Sequence, residues 1–446
     1  MKNPRVLLIA GASLLLAACD GGKDETVNLQ SSVTSASSSS SPVDEPLSPD
    51  IPAKEPFGGT VSIASLQRDF DIFSWQSFIA LNWPADAGGS PLAGVTIGEQ
   101  PSALRVWQHY KESRDIFLPE GVTPPGWDQP FPPPAICGND ATKPLLRQVG
   151  KTPNVLDESA EPFQTGPLID QNGQYTRYEI LTNQVMFDYI LDNDLYSKAG
   201  QTEFDAKAVF PFGTDTEVGS IMLKAAWKVM GEGDDPSQFY TTEAYVYNNP
   251  HENAGVSEAC KLQRVGLVGF HIGTKVKGNP QWIWSTFEHV NNAPTQGRAA
   301  DKDHYNYYNH NCSDGGVDCT AVNKPPPRPW NPANKNTPPS QIERVIPIAD
   351  DTAELNRQYQ QKLQAAVPGT VWANYELIST QWPTAAGDVT DETGVPAPTF
   401  LANTTLETYI QGRVKQTSSS CIQCHNNAAM TNGKKSDFTY LLERAQ

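Results

Sequence analysis

Basic residues are scarce in this chain. Thirty-three lysines and arginines stand against 50 aspartates and glutamates, a formal net charge of −17 over 446 residues. A surface this acidic repels phosphate backbones, which excludes nucleic acid as a partner. Long apolar runs are missing too. Val6 to Ala18 is shorter than the about 20 residues that a bilayer-crossing helix needs. There is no internal repeat, which excludes solenoids and propellers. The polar stretch 291–340 holds Asp301, Asp303, His304, His310, Asp314 and Asp318. It lacks the spacing of a calcium loop, and its two histidines do not share one helix face, so it reads as a surface loop.

What is present divides the chain into four parts. Residues 1–18 have the grammar of an export signal. Lys2 and Arg5 form a positive head, and Val6 to Ala18 is the apolar core. Residues 19–60 are rich in serine, proline and acid, with an unbroken serine run from Ser37 to Ser41. That composition predicts a disordered tether with a reach on the order of 35 Å. Residues 61–400 form the body, and 401–446 a short C-terminal segment.

Within the body, residues 65–82 predict a buried helix, apolar nearly all round through Phe70, Phe73, Trp75, Phe78 and Leu81. Further helices are expected at 102–117, 182–198 and 352–366, with short ones at 404–412 and 436–444. Residues 218–230, 239–248, 262–276, 281–290 and 371–382 are rich in β-branched and aromatic types and read as strands. Lys277-Gly278-Asn279-Pro280 reads as a hairpin turn between two of them. The expected fold is therefore α+β, an antiparallel sheet packed by helices, with a short helical C-terminal segment.

The sharpest local signal is Cys421-Ile422-Gln423-Cys424-His425. Random placement at this composition gives roughly 0.002 such strings in a chain of this length, so coincidence is a poor explanation. On a helical turn the two thiols and the imidazole fall at i, i+3 and i+4, nearly on one face. No second pair of ligands at zinc spacing lies nearby. The string resembles the haem-attachment motif of the c-type cytochromes. That resemblance covers about the last 45 residues. It implies one covalent haem c, held by thioethers from Cys421 and Cys424, with His425 as proximal iron ligand. The chain departs from the commonest small cytochromes c. There the motif lies near the start of the domain, and a methionine well downstream completes the iron. Here Met430 is the one methionine that follows, and it is expected on the same helix as His425. The other axial position must be filled from upstream or left open.

Leu16-Ala17-Ala18-Cys19 resembles the lipobox of bacterial lipoproteins. It implies lipidation of Cys19, hence anchoring to a bacterial membrane on its periplasmic side. Asp20 after the cysteine favours the inner membrane. Four of the seven cysteines then remain: Cys137, Cys260, Cys312 and Cys319. They allow three pairings in an oxidising compartment. Cys312–Cys319 is favoured as a short loop closure, with Cys137–Cys260 by elimination.

Three functions are compatible with these readings. The first is periplasmic electron transfer by a membrane-anchored mono-haem cytochrome, which needs a redox partner protein and for which a basic partner suits the acidic surface. The second is a haem-dependent, peroxidase-like oxidoreductase acting on a small-molecule substrate at an open iron. Its candidate acid–base residues are His271, His289, Glu288 and Arg298. The third is a non-haem ligand-binding lipoprotein in which Cys421 and Cys424 form a disulfide. If residue 269 faces residue 289 in the hairpin, His271 and His289 share a side. A shift of one residue puts His271 on the side of Glu288 instead. The hairpin 262–290, through His271 and His289, is also the leading source of the second axial ligand, and Met186, Met222 and Met230 are further candidates for it.

Overall fold

Aromatic side chains at helical spacing start the body. A computed structural model of the chain describes residues 42–55, 63–147, 167–248, 257–298, 302, 304–312, 320–326, 338–384, 395–412 and 419–446. The first helix, α1 (Ile63–Leu81), buries Phe70, Phe73, Trp75, Phe78 and Leu81. It stops where Asn82 turns its side-chain amide back onto the Phe78 carbonyl at 2.8 Å, two residues before Pro84.

The remaining elements follow in chain order. They are β1 (Lys111–Glu112), β2 (Leu145–Leu146), β3 (Arg177–Thr182), α2 (Gln184–Asp192), α3 (Lys198–Phe204), β4 (Ile221–Val229) and β5 (Thr241–Asn248). Then come β6 (Ala259–Val276), β7 (Asn279–His289), α4 (Asp350–Ala366), β8 (Tyr375–Pro383), β9 (Pro396–Ala397) and α5 (Cys421–His425). The fold is α+β, as expected. Strands β1, β3, β4, β6, β7, β8 and β9 lie side by side in that order, each antiparallel to its neighbour. Strand β5 pairs with the N-terminal half of β6 and carries β2, in parallel, on its other edge. Residues 42–446 form one compact unit.

The two faces of this sheet have different cover. Alternation along β7 sends Ser285, Phe287 and His289 one way and Trp284, Thr286 and Glu288 the other. Phe287 meets α1, stacking on Phe78 at 4.3 Å and meeting Trp75 edge-on at 5.2 Å. Helix α4 presents Leu355, Tyr359 and Leu363 at four-residue spacing to the same core. Tyr359 stacks on Trp75 at 4.9 Å. The opposite face is covered by the C-terminal segment. Asn403 donates from its side chain to the Thr286 hydroxyl at 2.9 Å, and Trp284 lies against His425.

Residues 102–117 are not the helix expected. They make short 3-10 turns at Val106–His109 and Ser113–Asp115, with β1 between them. Long-range bonds override the local period here. Lys111 pairs with Thr182 of β3, and its ammonium donates to the carbonyls of Gly126, Trp127 and Gln129 at 2.9, 3.1 and 2.7 Å. Trp107 is buried and donates its indole N–H to Asn82 at 2.9 Å. The helix expected at 182–198 is present but shorter, as α2, and α3 follows only from Lys198. Those expected at 404–412 and 436–444 shrink to 3-10 turns at Thr408–Ile410 and Tyr440–Arg444.

The expected tether is also shorter at its body end. Residues 42–55 lie on the body, with Val43, Leu47 and Ile51 against the main core and Lys54 bridged to Lys277. The polar stretch 291–340 is less superficial than expected. Tyr305 and Tyr307 are buried, and Asn306 accepts from the buried Lys228 ammonium at 3.1 Å.

A disulfide joins Cys137 to Cys260 and closes a loop of 123 residues. Cys312 is also disulfide-bonded. Its expected partner Cys319 lies outside the described residues, as do Asp301, Asp303, Asp314, Asp318, Cys19 and the expected signal. Among the described residues, no helix is long and apolar enough to cross a membrane.

Candidate functional site

Helix α5 is little more than one turn, so it relies on contacts rather than on its own hydrogen bonds. Ser420 caps it, its hydroxyl accepting from the Gln423 N–H at 3.4 Å. Gln381 of β8 accepts from the Ile422 N–H at 2.8 Å, and its own amide donates to the Pro398 carbonyl at 2.8 Å. The Ile422 side chain is the anchor. It is buried in a cluster with Trp282, Trp284, Met186, Met430, Leu441 and Leu442. With Ile422 pointing inward, Cys421, Cys424 and His425 fall around the remaining arc of the turn. The two cysteines are thiols, not joined to each other, with Cys421 half-buried and Cys424 buried.

Several groups hold His425, Phe438, Trp284 and Tyr440 among them. Its Nδ1 lies 2.7 Å from the carbonyl oxygen of Phe438. That oxygen only accepts, so Nδ1 carries the proton and the lone pair belongs to Nε2. The ring lies 4.4 Å from Trp284 and 5.5 Å, edge-on, from Tyr440. Tyr440 donates its hydroxyl to the Cys424 carbonyl at 2.9 Å, tying the helix to the last turn of the chain. Burial pushes the Tyr440 phenol up to about 12, which keeps it a donor at any ordinary pH.

The acceptor is delivered by an uncommon turn. Asp437 and Phe438 both have left-handed backbones, with φ of 53° and 60°. Asp tolerates this region; Phe gains nothing locally from it. The turn is fastened at Asp437. Its carboxylate takes the Phe210 N–H at 2.7 Å and forms an ion pair with Lys275, which is fully buried. Its carbonyl takes the Trp282 indole N–H at 2.8 Å. Burial pushes the Lys275 ammonium down and the Asp437 carboxyl up, each opposed by the charge of the other.

The expected acid–base residues are not gathered around His425. Gly269 faces Glu288 and His271 faces Thr286, so His271 shares a side with Glu288 and with Trp284. Both are committed elsewhere. His271 Nε2 lies 3.3 Å from Glu407. Burial acts to raise the Glu407 carboxyl, but His271 and Lys224 outweigh it and hold the group at about 2. Glu288 is fully buried, 3.1 Å from the Arg344 guanidinium, and accepts from both the N–H and the hydroxyl of Thr404. His289 faces the other way, stacked on Phe239 at 4.1 Å. Its Nε2 bonds the Gln238 carbonyl at 2.8 Å, and its Nδ1 accepts from the Asn291 N–H at 3.1 Å. Burial drives its imidazole down to about 3, so it stays neutral. Arg298 is exposed in a turn beyond β7.

The methionines divide unevenly. Met186, Met222 and Met430 all belong to the cluster that holds Ile422, and Met222 Sδ accepts from the Thr439 hydroxyl at 3.3 Å. Met230 packs elsewhere, beside Phe239 and Val268. Met430 does not share the helix of His425, because α5 ends at His425 and the chain turns before Met430.

Sequence reasoning found the motif but missed Lys275, Asp437 and Phe438. The only available hint was a lysine inside the apolar end of a strand. No family model matches the chain, and neither does any curated protein or solved structure.

Proposed function

We propose that this protein is a membrane-anchored mono-haem c-type cytochrome acting in periplasmic electron transfer. One observation carries the reading. The two thiols and the imidazole of Cys421, Cys424 and His425 share a single capped turn, and His425 Nδ1 is bonded to a carbonyl, which leaves the lone pair on Nε2, the atom that would bind the iron. This donor set fits haem. Cys421 and Cys424 would carry the two thioethers, and His425 would ligate the iron. When bound, the haem supplies a centre that gains and loses one electron.

The chain's own groups prepare the place. Ile422 anchors the helix, Trp284 and Tyr440 limit rotation of the imidazole, and the Phe438 carbonyl keeps the proton on Nδ1. Cys19 would attach the chain to the membrane, and the serine-rich stretch would let the body reach a partner. Electron transfer is favoured over peroxidase-like chemistry because the attachment motif supports it directly, whereas His271, His289 and Glu288 form no common constellation beside His425.

The test is an absorbance spectrum of the exported protein, oxidised and reduced, with and without carbon monoxide. A c-type spectrum unchanged by carbon monoxide supports two protein ligands and an electron carrier. A high-spin spectrum that shifts with carbon monoxide supports the oxidoreductase instead. Absence of a haem band from a host that matures c-type cytochromes overturns both.

A further inference from the structure

Lys275 and Trp282 face each other across the β6–β7 hairpin, and both bind Asp437. Lys275 takes the carboxylate and Trp282 takes the backbone carbonyl. The Lys275 ammonium also lies 5.7 Å from the Trp282 ring. A third hold comes from the Phe210 N–H. With its own carbonyl engaged, Asp437 leaves the next one, that of Phe438, to face His425.

Stability alone does not account for this arrangement. A buried ion pair is often no better than apolar groups of the same size, because both charges lose their hydration. Two successive left-handed residues, one of them phenylalanine, add backbone strain. Such strain persists only where the surroundings over-determine it, and here they converge on one carbonyl.

Resting on the haem reading above, we propose that the Lys275–Asp437 pair is a positioning device that sets the reduction potential of the haem through His425. The pair fixes the turn, the turn fixes the Phe438 carbonyl, and the carbonyl draws on the Nδ1 proton. A firmly held bond makes the imidazole a stronger donor, which favours ferric over ferrous iron and lowers the potential.

The experiment is a redox titration of the full exported protein carrying Lys275→Met with Asp437→Asn. This double substitution removes one positive and one negative charge together, so the direct effect of charge on the iron largely cancels. Asparagine still tolerates the left-handed backbone and can accept from Phe210. Covalent haem is expected to persist, with an upward shift in potential and a shifted His425 Nδ1–H proton resonance in the NMR spectrum of the ferrous form. Covalent haem with an unchanged potential and an unchanged resonance overturns this inference and leaves the haem reading standing. Failure of the wild-type protein to hold covalent haem overturns the haem reading and this inference with it. Should the double variant not fold, Asp437→Asn alone is read by the same resonance, which a simple loss of stability does not move.

Discussion

Trp284 and His425 lie with their ring centroids 4.4 Å apart, so a residue in the middle of the sheet faces the imidazole at the end of the chain. The C-terminal segment is thus built onto the sheet, not appended to it. A perturbation at either side is felt at the other.

Ile422→Ala tests that attachment. The side chain is 2% exposed and sits among Trp282, Trp284, Met430 and Leu441. Truncation is expected to cost about 2–5 kcal/mol in urea denaturation. Because Ile422 holds the helix that carries both thiols, the yield of covalent haem is expected to fall as well. Gln423→Ala, on the half-buried side of the same turn, is expected to change stability by less than about 1 kcal/mol.

Glu179 gives a pH dependence with a definite sign. Burial, with the Glu112 charge adding, pushes its carboxyl up from 4.5 to about 8, against the Trp227 indole bond at 2.7 Å. The folded state therefore holds a proton that the unfolded state has released, and stability falls as pH rises from about 4.5 to about 8. Glu179→Gln keeps an acceptor for Trp227 and cannot ionise. Stability measured at pH 9 is expected to be higher than wild type, with the gap closing toward pH 4.5. A constant gap across that range would contradict the assignment.

The disulfide predicts a redox-sensitive body. Opening Cys137–Cys260 releases a loop of 123 residues, which by chain entropy is worth about 5 kcal/mol. Cys137→Ser is expected to lower the midpoint of thermal unfolding, and the variant is expected to lose the wild-type response to reductant that comes from this bond.

Arg344 stands between two carboxylates, 3.1 Å from Glu288 and 2.9 Å from Glu376. Arg344→Met leaves the fully buried Glu288 without its cation, with Thr404 alone as donor. Removing one side of such a pair is expected to cost about 3–5 kcal/mol in urea denaturation. Arg344→Met with Glu288→Gln is expected to recover part of that loss.

Much of the fold was legible because its periods are clean. Helices α1 and α4 carry apolar residues at three- and four-residue spacing, and β4 to β8 carry the β-branched and aromatic runs of buried strands. Residues 102–117 misled because their aromatic spacing mimics a helix, while Lys111 is drawn into the sheet by β3 and by carbonyls of the following loop. The motif at 421–425 was legible because its groups are contiguous. Its support was not. Lys275 and Asp437 are 162 positions apart, and the acceptor for His425 is a backbone carbonyl, which every residue possesses. The hairpin register was left open by a single residue, and that residue decides that His271 shares the face of Glu288 and not that of His289.

The central claim is tested most directly by haem-staining peroxidase activity after denaturing electrophoresis. Wild type and Cys421→Ala with Cys424→Ala should be exported from a host that matures c-type cytochromes. A stained band at the mass of the wild-type protein, absent from the double variant, is expected. A wild-type band without stain, or a double variant that keeps its stain, would contradict haem attachment at Cys421 and Cys424.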